Sequence, residues 1–253
     1  GKSSFMYLEY AMAQLMSQAY CMHIETEGAQ APADYIRSFG CNPGALMIKE
    51  CQSLEECLAV VDEYICIIRG GFGGSVSKEG RAIKSRYDTP VDKEMAAPIL
   101  VGIDSLSSLG TEAGVGVDIA DAGSTSQLSY HTRKLREYFR NRVGRLRDTQ
   151  TFMMLTSHET AKIETGKKSF SAPPGGNKTA LAQEAIGIHA TYGMDVQAAP
   201  YVDKARGVRL GDIVTMKTFK NKISPKDRML NLYLEWNQGF DLVKTDFEFL
   251  LTH

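Results

Sequence analysis

Pro98-Ile99-Leu100-Val101-Gly102-Ile103-Asp104-Ser105-Leu106-Ser107-Ser108-Leu109 is the stretch that decides the fold. A short unbroken apolar run reads as a strand buried on both faces. Here it ends in a carboxylate, Asp104, and then a polar turn. A second strand, Ala19-Tyr20-Cys21-Met22-His23-Ile24, also runs into carboxylates, Glu25 and Glu27. The chain opens on Gly1-Lys2-Ser3-Ser4 and passes directly into a helical pattern. Gly-Lys-Ser before a helix is the second half of a phosphate-binding loop, whose lysine reaches the terminal phosphates and whose hydroxyl holds Mg²⁺. The glycine that opens such a loop would lie before Gly1, so the chain reads as truncated at its N-terminus within the loop. Together the three signals predict a nucleotide triphosphatase with a lysine, a metal carboxylate and a water-activating carboxylate.

Composition agrees with an enzyme core. A chain of 253 residues is long enough to bury a large core as one α/β domain. The formal net charge is −1, so any nucleic-acid binding has to come from local patches. Cys21, Cys41, Cys51, Cys57 and Cys66 form no Cys-x-x-Cys pair, and an odd count favours free thiols in a reducing compartment. No apolar run approaches the ~18 residues that span a bilayer. The expected setting is the cytoplasm, with no membrane partner.

Along the chain, strands alternate with helices. Helical patterns cover Phe5–Ser17, Pro32–Phe39 (stopped by Gly40), Ser53–Ile68 and Gln127–Arg147. Ser53 and Glu56 have the spacing of a capping box. Strands are expected at 19–24, 45–49, 99–103, 151–156, 186–192, 212–219 and 229–236. This order predicts a mainly parallel twisted sheet with helices on both faces and an antiparallel extension. Three stretches lack periodicity: 69–98, a glycine-rich and then mixed-charge insertion of flexible composition; 110–126, around Gly114-Val115-Gly116; and 160–180, which is basic and contains Pro173-Pro174-Gly175-Gly176-Asn177.

At this level of detail the chain resembles the RecA family of DNA recombinases over nearly its whole length. The residues that carry the resemblance are Gly1-Lys2-Ser3-Ser4; Ile24-Glu25-Thr26-Glu27-Gly28-Ala29 with Pro32, Tyr35 and Arg37; Leu100-Val101-Gly102-Ile103-Asp104-Ser105; Arg133-Lys134-Leu135; Gly175-Gly176-Asn177; and Lys220-Asn221-Lys222-Ile223. A phage-type or otherwise divergent member fits best. The resemblance implies a RecA-like P-loop ATPase core using ATP and Mg²⁺. Such a core binds single-stranded and double-stranded DNA and self-associates into a helical filament for strand exchange.

It also implies residue roles. Gly1, Lys2, Ser3 and Ser4 would bind phosphate, with Lys2 on the β and γ phosphates. Ser3 and Asp104 would hold the metal. Glu27 would polarise the attacking water, with Glu25 as the neighbouring alternative. Tyr35 would stack on adenine, although one extra residue shifts its spacing. His158 stands where the family has a γ-phosphate-sensing glutamine. Lys220 and Lys222 resemble lysines that reach the ATP of the neighbouring subunit. The DNA loops would be 110–126 and 160–180, with Lys162, Lys167, Lys168, Gly175, Gly176, Asn177, Lys178 and the nearby Arg133 as contacts.

Each role has a structural competitor. Asp104 also suits a turn, Glu27 a solvated loop, Tyr35 and His158 the core, and the arginine-rich helix a solvated face. Two other functions remain open at this stage: a RecA-fold hexameric helicase motor, and a DNA-binding scaffold with weak or no turnover.

Overall fold

The computed structural model describes residues 1–69, 97–110, 124–161, 178–180, 189–203, 205–225 and 227–252. The elements of its first half are α1 (Lys2–Ser17), β1 (Tyr20–Glu25), α2 (Ala33–Ser38), β2 (Leu46–Glu50), α3 (Leu54–Arg69), β3 (Ile99–Asp104), α4 (Ser124–Asp148) and β4 (Thr151–Leu155). The four strands form a parallel sheet in the order β2-β1-β3-β4. As the apolar run indicates, β3 is central, and Ile99, Val101 and Ile103 are fully buried. The expected elements of this half all form, with boundaries shifted by a few residues.

Helices cover both faces of this sheet. One core joins Met22 and Ile24 of β1 and the odd residues of β3 to α3 and α4, through Leu58, Val61, Leu135 and Phe139. Asp62 ties these two helices together, accepting hydrogen bonds from the Tyr138 hydroxyl at 3.0 Å and from Arg142 Nε at 3.1 Å. The start of α3 is capped by Ser53, whose hydroxyl accepts from the Glu56 amide at 3.1 Å. Glu56 returns its bond one residue earlier than a strict box, to the Gln52 amide at 2.9 Å.

The other face carries α1. Met6, Tyr7 and Tyr10 pack with Cys21 and Leu46 in the second core. Gly102 makes this possible, because a Cβ there would lie 2.0 Å from the Tyr10 hydroxyl and 2.4 Å from Met6 Cε. Tyr10 in turn donates to the Met22 carbonyl at 3.0 Å.

The second half differs from the expected extension of the first sheet. β7 (Tyr192–Asp203), β8 (Val208–Asn221), β9 (Met229–Glu235) and β10 (Gly239–Asp241) form a separate antiparallel sheet in the order β10-β9-β8-β7, followed by α5 (Leu242–Thr252). Val214, Met216, Leu232 and Leu234 enter the core that holds α1 and α2. Gly239, at φ 87°, sits so close to Ser38 that a Cβ would lie 2.1 Å from its carbonyl oxygen. The strand expected at 186–192 is displaced: of its described residues only Tyr192 is in a strand, the first of β7. Two short strands, β5 (Glu159–Ala161) and β6 (Lys178–Ala180), pair antiparallel. The expected insertion 69–98 lies outside the described residues, apart from its ends.

All five cysteines are free thiols. Burial pushes Cys21 up to about 12 and Cys41 up to about 11, which keeps both unreactive near neutral pH. Among the described residues no helix is long and apolar enough to cross a membrane.

Candidate nucleotide site and its links to two loops

Parallel strands all end at the same edge, so the residues that follow β1, β3 and β4 meet there. The register places Glu25 beside Asp104. The first turn of α1 arrives at the same edge. Lys2 Nζ donates to the Ser157 carbonyl at 2.7 Å and lies 3.2 Å from His158 Nδ1. His158 Nε2 lies 3.2 Å from Glu27 Oε1. Three of the five expected catalytic residues therefore form one chain of contacts, Lys2–His158–Glu27. The ammonium of Lys2 has only donors, so Nδ1 of a neutral His158 accepts and Nε2–H donates to Glu27.

Glu27 is held by more than the histidine. The hydroxyls of Ser105 and Ser108 donate to its Oε1 at 3.0 and 3.1 Å. The Ser105 bond is the main cause that holds the Glu27 carboxyl below its ordinary range, and Ser108 and His158 add to it. Ser107 accepts from the His158 amide at 3.1 Å. The turn Ser105–Ser108 thus positions both Glu27 and His158. Sequence reading passed over these serines, although a run of three hydroxyls after a strand-end Asp was the signal.

Asp104 is buried and accepts a hydrogen bond from the Thr156 hydroxyl. Its own carbonyl accepts from the Thr26 amide at 3.0 Å, and Thr26 Oγ1 accepts from the Ser105 amide at 2.7 Å. These bonds fasten the β1 and β3 ends together.

Glu25, the alternative to Glu27, faces inward and is 7% exposed. It accepts from the Glu27 amide at 2.7 Å and lies 3.7 Å from His23 Nε2. Burial pushes the His23 imidazole below its ordinary value, against the opposite pull of Asp104 and Glu25. Glu27, with its side chain 44% exposed, is the carboxylate that faces outward.

Tyr35 meets Ser4, hydroxyl to hydroxyl, at 2.9 Å, and its ring packs edge-on against Phe39 at 5.0 Å and Tyr7 at 6.2 Å. It is 37% exposed, so part of the ring remains open. Ser3 is half-buried in the first turn of α1.

Lys220 and Lys222 lie elsewhere, at the end of β8 and just beyond it. The Lys222 amide donates to Thr191 at 3.0 Å and its Nζ to the His189 carbonyl at 3.5 Å. The His189 ring stacks on Phe139 of α4, with ring centroids 6.0 Å apart. Lys220 is half-buried, and its ammonium is pushed below its ordinary value by desolvation and by the adjacent Lys222.

The expected DNA contacts Lys162, Lys167, Lys168, Gly175, Gly176 and Asn177 lie outside the described residues. The residues that flank them are described: β5 begins directly after His158 and pairs with β6, Ala161 opposite Lys178. Gly110, the last described residue before 124, is pinned as well. Gly110 bonds Gln52 and Leu54 through its backbone at 3.1 Å each, and His131 Nε2 lies 3.2 Å from its carbonyl. Arg133 is exposed on α4, stacked over Tyr130 at 5.5 Å.

No family model matches the chain. Among curated proteins it is similar to Protein RecA of Thermotoga petrophila and Protein RecA of Thermotoga maritima, 23% identical to each over 241 residues. The relationship is RecA-like and distant. Each alignment covers 95% of this chain and 56% of the relative, so the chain spans about half the length of the curated relatives it matches.

Proposed function

We propose that this chain is a RecA-like ATPase core, one domain over 1–253 with an insertion at 69–98, that binds single-stranded DNA and assembles into ATP-dependent filaments for homologous pairing and strand exchange. The observation that carries this reading is the contact chain Lys2–His158–Glu27 at the carboxyl edge of a parallel sheet, beside Asp104. The distant similarity to RecA points the same way.

Phosphoryl transfer to water rests on positioning and charge neutralisation. Lys2 would leave Ser157 and His158 for the β and γ phosphates, helped by the amides of Gly1–Ser4 at the start of α1. Glu27 would orient the attacking water and accept its proton once bonding to phosphorus has made that water acidic; the hydroxyl bonds that keep Glu27 ionised also lower its basicity. Tyr35 would receive the adenine on the open part of its ring.

The residues fit a magnesium ion. Asp104 and Ser3 offer hard oxygen ligands, and Mg²⁺ takes one or two protein oxygens and fills its other positions with water and substrate phosphate. Among the described residues no group of three His, Cys, Asp or Glu side chains gathers into an all-protein cage. When bound, the ion would neutralise charge on the transferring phosphoryl group.

His158 would carry the state of the nucleotide to DNA. Released by Lys2, it can turn toward the γ-phosphate, and the residue after it begins the ladder at the base of loop 160–180. Lysines of that loop would neutralise DNA phosphates. Lys220 and Lys222 would complete the site of a neighbouring subunit.

Electron microscopy tests the reading. With single-stranded DNA and a slowly hydrolysed ATP analogue the full-length protein forms helical filaments, and without nucleotide it does not. Closed rings would instead identify a helicase motor. DNA-coated particles indifferent to nucleotide would identify a scaffold.

A further inference from the structure

We propose that an exposed, arginine-bearing flank of α4 is a docking surface for the phosphate backbone of duplex DNA. This rests on the DNA-binding reading above and adds a second surface to the two loops.

At 3.6 residues per turn, Arg133, Arg136, Arg140 and Arg147 fall within about 60° of one another on the 25-residue helix. All four are exposed. They lie on a flank of the helix, about 110° around from the buried face, where Leu135, Phe139 and Leu146 are 1%, 6% and 7% exposed. The stripe is about 21 Å long, from a rise of ~1.5 Å per residue. Residues 124–148 hold seven basic side chains against two acidic ones, in a chain whose net charge is −1.

Part of this charge is used inside the protein. Arg142 pairs with Asp62 at 2.9 Å, and Arg147 reaches Asp148 at 3.4 Å. Among the described residues Arg136 and Arg140 form no ion pair. They stand four apart on one helix face, where like charges lower helix stability. The guanidinium groups of Arg136 and Arg140 are suited to phosphates, which each fork can bind through two hydrogen bonds.

The stripe favours duplex over single strand. Single strands are gripped by stacking bases on aromatic rings. From 133 to 147 the exposed positions other than arginine are Glu137, Asn141, Val143 and Gly144, none aromatic. Tyr138 is half-buried and tied to Asp62, and Tyr130, before the stripe, already carries the Arg133 and Lys134 cations at 5.5 and 5.4 Å. What remains is a straight rod of charge. Duplex DNA presents a complementary rigid array, one charge per about 1.7 Å of axis.

The test is a salt titration of full-length protein by fluorescence anisotropy, with labelled duplex and labelled single-stranded oligonucleotides measured separately. Arg136→Ala/Arg140→Ala should reduce the duplex log–log salt slope by about 1.8, at ~0.9 per lost phosphate contact. Its single-strand slope and its thermal midpoint should match wild type. Arg136→Lys/Arg140→Lys, which keeps both charges, should retain the duplex slope. The stripe is refuted if wild type does not bind duplex, if the alanine variant keeps the wild-type slope, or if both DNA forms lose affinity together. Failure of wild type to bind single strands would instead overturn the recombinase reading, so the two failures are distinguishable.

Discussion

The parallel and antiparallel sheets share the core around α1, and among the described residues the candidate site gathers at the parallel one. Its strands all run the same way, so the ends of β1, β3 and β4 deliver Glu27, Asp104, Ser105 and His158 to one edge. In the antiparallel sheet neighbouring strands end at opposite edges, and the middle residues Val214, Met216, Leu232 and Leu234 serve as core. Its charged residues Lys220 and Lys222 stand at one end, away from its share of that core. Strand direction brings the candidate site residues together, while the second sheet supports α1.

The largest effect that can break this division comes from Lys220→Ala/Lys222→Ala. If these lysines act in trans as charge-stabilising fingers, turnover in full-length protein falls by about 10³-fold. Mixing this variant with Glu27→Gln protein restores part of the activity, because some interfaces then combine an intact Glu27 with intact lysines. Confirmed co-assembly without any recovery at any ratio would make the antiparallel sheet purely structural.

Two glycines compare the sheets as scaffolds. In β8, a Cβ on Gly211 would lie 1.9 Å from the Leu234 carbonyl oxygen, which is backbone in the partner strand. Gly211→Ala should cost about 3 kcal/mol, the upper end for overpacking. In β3, Gly102→Ala meets side-chain ends, Tyr10 and Met6, which can shift. Its cost should be about 1–2 kcal/mol. Urea denaturation of both variants checks the order, and the reverse order would contradict the packing described.

A finer effect concerns pH. Glu27 has a lowered pKa, chiefly from the Ser105 hydroxyl. A depressed carboxyl adds stability above its unfolded pKa and loses that contribution as pH falls through the folded value. The ionised, active form therefore persists further into acid than for an ordinary glutamate. Ser105→Ala should move the acid limb of the hydrolysis profile to higher pH. An unmoved limb would mean that a different group sets it.

The centre of the parallel sheet was legible in the sequence because β1 and β3, buried on both faces, read as apolar runs that stop at charged residues. The second sheet was less so. β7 is an edge strand, largely exposed, with Gly193 and Pro200 inside it. Proline is tolerated at an edge because an unpaired side needs no donor, so the usual strand signals fade. α5 was missed too. Its signal was Asp241, whose carboxylate accepts from the Lys244 amide at 2.9 Å as an N-cap, but the apolar residues that follow have no clean helical period. In the site, Lys2, Glu27 and Asp104 were legible as strand-end and helix-start chemistry. Their tethering through His158 and the Ser105–Ser108 turn was not, since those contacts join residues far apart in the chain.

The central claim is that Glu27, at the end of the Lys2–His158 contact chain, activates water for ATP hydrolysis. The most direct measurement is phosphate release by full-length protein with Mg²⁺-ATP and single-stranded DNA, alongside nucleotide affinity, for wild type and Glu27→Gln. The account predicts near-normal nucleotide binding and a loss of turnover of about 10²-fold or more, the usual contribution of a positioned base. Equal turnover in the two proteins would contradict it.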